Sequence, residues 1–255
     1  MKEERVKKIL LFGGSIFMII FCLTPFIFMS VISFSKNPDF LGSGGEFKFV
    51  LNNYKRILTV SSLHFLEYLR NSIIISGISA FFAVFLAGLS AYAITRLRFA
   101  GKIFILLFVL AISMFPQISI VSYLYRFMES LGWINTYAGL IFPYTAWILP
   151  LSLWILVSYF AQIPKDLDRA GLVDGCSRFQ VLRKIVFPIA APGLFSTALL
   201  AFIFAFNEFM FAVMLTIDHH SRTIPVGIAL FQGLHGEIPW GTIMAASTIA
   251  TLPIV

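Results

Sequence analysis

Three groups of residues carry ionisable or ligand-forming side chains. The first is Glu208, preceded by Asn207 and enclosed in "LLAFIFAFNEFMFAVML". A lone carboxylate in such a run could serve an ion-coupled carrier or a gate, or with Asn207 it could hydrogen-bond between packed helices. The second is "DHH" at 218–220, with only His235 and Glu237 as further ligand candidates nearby. Zinc wants a more defined ligand spacing, so no metal is expected there. The third is "DRAGLVDGCSRFQVLRKIVFPIAAPG", residues 168–193, a charged stretch punctuated by Gly175, Pro188 and Pro192 between long apolar runs.

Several chemistries have no foothold. The phosphate-binding pattern Gly-x-x-x-x-Gly-Lys-[Ser/Thr] is missing, so ATP hydrolysis is not expected on this chain. Gly-x-Ser-x-Gly and His-Glu-x-x-His are missing as well, which removes the common hydrolase readings. Cys22 and Cys176 lie far apart without CxxC partners, so neither a disulfide framework nor a zinc site is expected. The formal charge of +7 is read as charge that sets membrane orientation, not as a nucleic-acid surface.

The elements that position these residues are membrane helices. Of the 255 residues, 59% are hydrophobic and 12% charged, too few charges to cover a soluble surface. A bilayer-crossing helix needs ~20 mostly apolar residues. The candidate spans are 9–34, 70–95, 103–125, 139–160, 193–217 and 241–255. The basic N-terminus precedes an apolar run too long for a signal peptide, so it reads as a retained first span. The last 15 residues, Gly241 to Val255, reach only ~22 Å at ~1.5 Å per residue, and the expectation is a sixth helix cut short. Placing the N-terminus in the cytoplasm puts Lys2, Arg5, Lys7, Lys8, Arg96, Arg98, Lys102, Lys165, Arg169, Arg178, Arg183 and Lys184 inside. Those are twelve of the 19 Lys and Arg residues, and the bias places segment 161–192 in the cytoplasm. Pro25, Pro116, Pro143 and Pro150 fall within spans, where packing or a pathway could account for them. No internal repeat of the kind many secondary carriers show is evident.

Locally the insert reads as helix, elbow, helix. Pro164 suits a first helical turn, with Asp166 and Asp168 near its positive end. Gly175 is free to take a left-handed stop. Ser177 followed by Gln180 is a capping-box pattern, and Pro188 and Pro192 are expected to end the second helix. Ala170 and Gly171 form a shallow dent among Leu167, Leu172, Val173 and Phe179. On periodicity alone the insert could dock in a groove of a partner protein or lie on lipid headgroups.

"IPKDLDRAGLVDGCSRFQVLRKIVFPIAAPGL" resembles the EAA loop of permease subunits of binding-protein-dependent ABC importers. That loop reads Glu-Ala-Ala, three residues, Gly, nine residues, Ile-x-Leu-Pro. Ala170 and Gly171 stand at the alanines, Gly175 at the glycine, and Ile185 with Phe187 and Pro188 at the end. "LRNSIIIS", "LGWINTYAGLIFPYTAWILPLSLWIL", "FAFNEFMFAVML" and "WGTIMAASTIATLPIV" extend the resemblance to the carbohydrate branch, over nearly the whole chain.

The resemblance implies an all-α polytopic membrane protein with six transmembrane helices in the type I ABC importer architecture. It implies a coupling helix seated in a cytoplasmic ATPase, through Asp168, Arg169, Ala170, Gly171, Asp174, Gly175 and Phe179. The implied partners are a homologous permease subunit in a heterodimer, two ATP-binding subunits that hold ATP and Mg, and an external solute-binding protein, all at a lipid bilayer and with no nucleic acid. Residues Gly233, Leu234, His235, Gly236 and Glu237 are then candidates for docking the binding protein, with an ordinary connector as the alternative. Two departures stand out. Arg169 occupies the place of the family's Glu, and Gly171 that of the second Ala.

Overall fold

The computed structural model describes residues 2–35, 48–231 and 239–254. Among these residues the protein is helical, with a single isolated antiparallel bridge between Ser35 and Phe49. The helices in chain order are α1 (Lys2–Ser33), α2 (Asn52–Thr59), α3 (Phe65–Arg96), α4 (Lys102–Ser113), α5 (Gln117–Ser130), α6 (Tyr137–Gln162), α7 (Asp166–Val173), α8 (Arg178–Val181), α9 (Phe187–Phe206), α10 (Met210–Leu215), α11 (Ile224–Leu230) and α12 (Trp240–Thr251). The chain forms two compact units, Met1–Leu66 with Gly227–Val255, and Glu67–Val226.

In the first unit α1 packs on α12, and α12 on α2. Asn53 Nδ2 donates to the carbonyls of Ser33 and Ser35, 2.9 Å each, and so ties α2 to the end of α1. A Cβ at residue 241 would stand 2.5 Å from Asn53 Nδ2, so Gly241 is what lets α12 come this close. Along α1 the side chains of Ile9, Phe12, Phe17, Ile20 and Phe21 face outward. That surface suits lipid, where apolar exposure costs nothing.

The second unit holds a core built on small side chains. Ala190, Gly193, Thr197, Ala201 and Ala205 recur at three- and four-residue spacing along α9, and all are buried. Ala83, Ala87 and Ala91 form a like stripe on α3. Between membrane helices there is little hydrophobic drive, so close packing of small residues holds them together. At Gly193 the ring of Tyr159 on α6 lies so near that a Cβ would stand 2.7 Å from three ring atoms.

Among the described residues, four helical runs are long and apolar enough to cross a membrane: Lys7–Ser33, Ser61–Arg96, Tyr137–Gln162 and Arg178–Phe206. The expected span 103–125 is instead a bent pair, α4 and α5, meeting at 92°. Pro116 lies at the bend, where it has no N–H for the helical ladder. A second correction concerns Pro188 and Pro192, which do not end a helix. They lie within one continuous run, because residues Leu182–Val186 adopt a π-helical turn in which Phe187 N–H bonds back to the Leu182 carbonyl. Widening the turn by one residue relieves the crowding that a proline ring imposes on the preceding turn.

Gly193→Ala should therefore lower the melting temperature of the detergent-purified protein, at a cost of ~1–3 kcal/mol from overpacking. Adding Tyr159→Ala should recover part of the loss. An unchanged melting temperature for the single variant would refute the close α6–α9 contact.

Candidate functional site: the α7–α8 elbow and the broken helix at Glu208

The sequence dictates the elbow closely. Gly175 has φ +83°, the left-handed region that favours glycine. Gly175 N–H donates to the Leu172 carbonyl at 3.2 Å and Cys176 N–H to that of Gly171 at 2.9 Å, the paired bonds of a Schellman stop. Ser177 then restarts the chain as a capping box. Gln180 N–H donates to Ser177 Oγ at 3.3 Å, and Ser177 N–H to Gln180 Oε1 at 2.7 Å. Helix α7 itself begins at Asp166, two residues later than Pro164 suggested.

The two faces of α7 differ. Outward stand Leu167, Ala170, Leu172 and Val173, with Val173 87% and Phe179 of α8 66% exposed. Asp174 is exposed too. Arg169 pairs only with Asp166 at 3.0 Å, both well exposed, and such a surface pair contributes little. Arg169 is thus free to turn toward a partner.

Two of the residues expected on the contact face point inward. Gly171 is buried, and a Cβ there would stand 2.6 Å from Ile185 Cδ1 and 3.1 Å from Val181 Cγ2. The Gly in place of the family's second Ala therefore belongs to internal packing, and the expected dent at Ala170 and Gly171 is not an outward one. Asp168 is also buried, and its Oδ2 lies 3.1 Å from Arg96 Nε at the end of α3. On sequence alone Arg96 reads only as a charge that sets membrane orientation. A basic residue in the last turn of a span was the one available signal, and it did not name a partner.

Glu208 stands at a break between α9 and α10. Its Oε1 accepts from Phe211 N–H at 2.8 Å and its Oε2 from Ala212 N–H at 3.2 Å. Both oxygens thus serve the first N–H groups of α10, which the break leaves without intrahelical acceptors. Asn207 Nδ2 donates to the Ile203 carbonyl at 2.8 Å and closes the end of α9. The buried Tyr144 hydroxyl stands beside the same carboxylate and near Thr223, without an aligned hydrogen bond. In this geometry both side chains are engaged by local backbone groups at the break. Tyr144 and Thr223 were not singled out in the sequence.

The segment after α10 is stapled by two asparagines. Asn135 Oδ1 accepts from Ile217 N–H, Asp218 N–H and Ser221 Oγ. Asn71 Nδ2 donates to the carbonyls of His219 and Arg222 at 3.0 and 2.9 Å. Hydrogen bonds from Asn135 and then His220 hold the Asp218 carboxyl below its ordinary pKa. Gly233, Leu234, His235, Gly236 and Glu237 lie outside the described residues.

The family model for "Binding-protein-dependent transport system inner membrane component" matches residues 79–255. The trehalose/maltose transport system permease protein MalG of Thermococcus litoralis is 59% identical over 256 residues, covering 100% of this chain and 92% of that protein. The trehalose transport system permease protein SugB of Mycobacterium tuberculosis is 42% identical over 192 residues, covering 75% of this chain and 70% of its own. Among solved structures, a chain of a bacterial ABC transporter that imports the acidic polysaccharide alginate matches at TM-score 0.78. Its identity is 18%, and the match covers 100% of this chain and 94% of that one. A second structure, of a bacterial alginate ABC transporter in complex with a pentasaccharide-bound periplasmic protein, matches at 0.71 with 16% identity, covering 99% and 91%.

Glu208→Ala should cost ~1–3 kcal/mol, because it removes a cap and leaves two N–H groups without acceptors. Glu208→Gln keeps one acceptor oxygen and should lose less. Thermal unfolding together with amide exchange at Phe211 and Ala212 reads both. Equal behaviour of the two variants would contradict the capping role.

Proposed function

The chain belongs to the family of binding-protein-dependent transport system inner membrane components, and from that premise we propose that it carries a sugar across the cytoplasmic membrane as one subunit of an ATP-driven importer. It pairs with a homologous permease, and two ATP-binding subunits on the cytoplasmic side hold ATP and Mg. An external solute-binding protein delivers the sugar, with segment 233–237 as its docking candidate. The N-terminus lies in the cytoplasm. The names of the two relatives given above suggest a small α-linked disaccharide, trehalose or maltose, as cargo. No covalent chemistry occurs on this chain. The helices alternate between outward and inward openings as the ATPase pair closes and separates.

The observation that carries this reading is the outward face of α7 and α8. Val173 and Phe179 stand exposed on a rigid elbow, beside Asp174 and Arg169. Apolar anchors on a short, capped helix suit insertion into a groove on a partner protein. The elbow's own hydrogen bonds fix it before any partner arrives, so little ordering entropy is lost on docking.

Val173→Arg should leave the permease folded, since the side chain is almost wholly outside the packing, but should weaken ATPase retention. Losing a central anchor costs ~2 kcal/mol, roughly thirtyfold in affinity. Gly175→Arg adds a left-handed penalty of ~1–2 kcal/mol and a bulky charge at the elbow. It should leave a folded but uncoupled complex. Full ATPase retention by the first variant, or normal substrate-stimulated hydrolysis by the second, would overturn the proposal.

A further inference from the structure

The α7 face that points away from the ATPase surface carries a polar joint. Arg96, in the last turn of α3, places Nε 3.1 Å from Asp168 Oδ2. Its Nη2 donates to the Ile163 carbonyl at 2.9 Å, and Ile163 is the residue that ends α6. One guanidinium therefore reaches the ends of two long membrane helices and the first turn of α7. The side chains of Arg96 and Asp168 are only 3% and 12% exposed. Tyr92, one turn earlier on α3, stands near the same carboxylate.

Each partner also sits where its helix favours its charge. A cation is stabilised at the C-terminal end of α3, and an anion in the N-terminal turn of α7. Arginine suits the place because its planar group holds several donors in a fixed fork and stays charged. The contact of α7 with the following helix is of another kind. Gly171 packs on Ile185 and Val181 through apolar contacts. That close packing holds one side of α7, and the buried charge pair holds the other side to α3. The Nη2 bond to the Ile163 carbonyl has direction, while the Nε–Oδ2 pair, 3.1 Å apart without an aligned hydrogen bond, holds the two buried charges close.

We propose that Arg96 and Asp168 are positioning residues for energy transfer, forming a clamp that makes α7 move as one body with α3 and α6. The inference rests on the reading of α7 as the helix that docks the ATPase. A displacement imposed at Val173 and Phe179 would otherwise be lost as rotation of α7 in its socket. The clamp delivers it to the cytoplasmic ends of two membrane helices at once.

The test is a distance measurement by pulsed electron spin resonance on the full chain in lipid nanodiscs. Nitroxides are placed at Phe85 on α3 and Asp166 on α7, in a background with Cys22→Ser and Cys176→Ser. The clamped chain should give one narrow distance distribution, and Asp168→Asn should broaden it. Arg96→Met/Asp168→Leu serves as the second variant, because replacing a buried pair by apolar groups of similar volume is often neutral or stabilising. That double variant should melt at or above the temperature of the unsubstituted labelled chain and still give the broadened distribution. Such a result separates positioning from mere stability.

In the complex assembled with its ATPase, a non-hydrolysable ATP analogue should leave the distance unchanged in the clamped chain and shift it in both variants. A stable double variant with a narrow, nucleotide-insensitive distance would overturn the clamp. So would a clamped chain whose distance already shifts with nucleotide. If no ATPase is retained by the unsubstituted permease, the docking reading falls instead, and the width measured on the chain alone still judges the clamp.

Discussion

A peptide N–H without a partner in hydrocarbon costs several kcal/mol, and three breaks among the described helices each answer that cost. The chain interrupts its helices at three described places and repairs each with different chemistry. At the α4–α5 bend, Pro116 brings no donor, while the N–H groups of Met114 and Phe115 close the end of α4 by bonding three residues back, to the carbonyls of Ala111 and Ile112. At Leu182–Val186 the ladder shifts to π spacing and lets Pro188 stay inside the helix. At the break before α10, the two oxygens of Glu208 take up the N–H groups of Phe211 and Ala212. Straight helices would need none of these residues. Each bend needs a local acceptor or a missing donor.

Between the bends the helices are packed closely. The small-residue stripe on α9 brings its backbone near α6, and Tyr159 lies directly over Gly193. Packing of this kind transmits displacement because it has little free volume to absorb it. The α7–α8 elbow sits at the end of this body, fixed by a Schellman stop, a capping box and the Arg96–Asp168 pair. A soft insert would follow its partner without moving the spans. A stiff one, proposed here as the ATPase contact, converts a push on Val173 and Phe179 into motion of the membrane helices.

What could be read from the sequence follows from how local each signal is. Gly175, Ser177 and Gln180 act within a few residues of themselves, so their turn and caps were legible. The long apolar runs were legible for the same reason. The π turn was not, because proline's usual effect is to end a helix and only the wider turn around Pro188 explains why it does not. Pairing across the fold was equally hidden. Arg96 and Asp168 are separated by the whole of α4, α5 and α6, and no spacing rule connects them. Asp168 and Gly171 were consequently expected on the outward face, whereas an ion pair and the close approach of Ile185 hold them inside. The family's Ala at the place of Gly171 gave no warning, since the reason for Gly is the particular neighbour.

If this chain is moved from the cytoplasmic side, as proposed, its native assembly must contain the subunits that move it. Purifying the native assembly from its membranes in mild detergent and identifying every co-purifying chain tests it most directly. An ATP-binding subunit and a second, homologous permease should be recovered with it. Recovery of this chain alone, or as a homo-oligomer from intact membranes under gentle conditions, would contradict it.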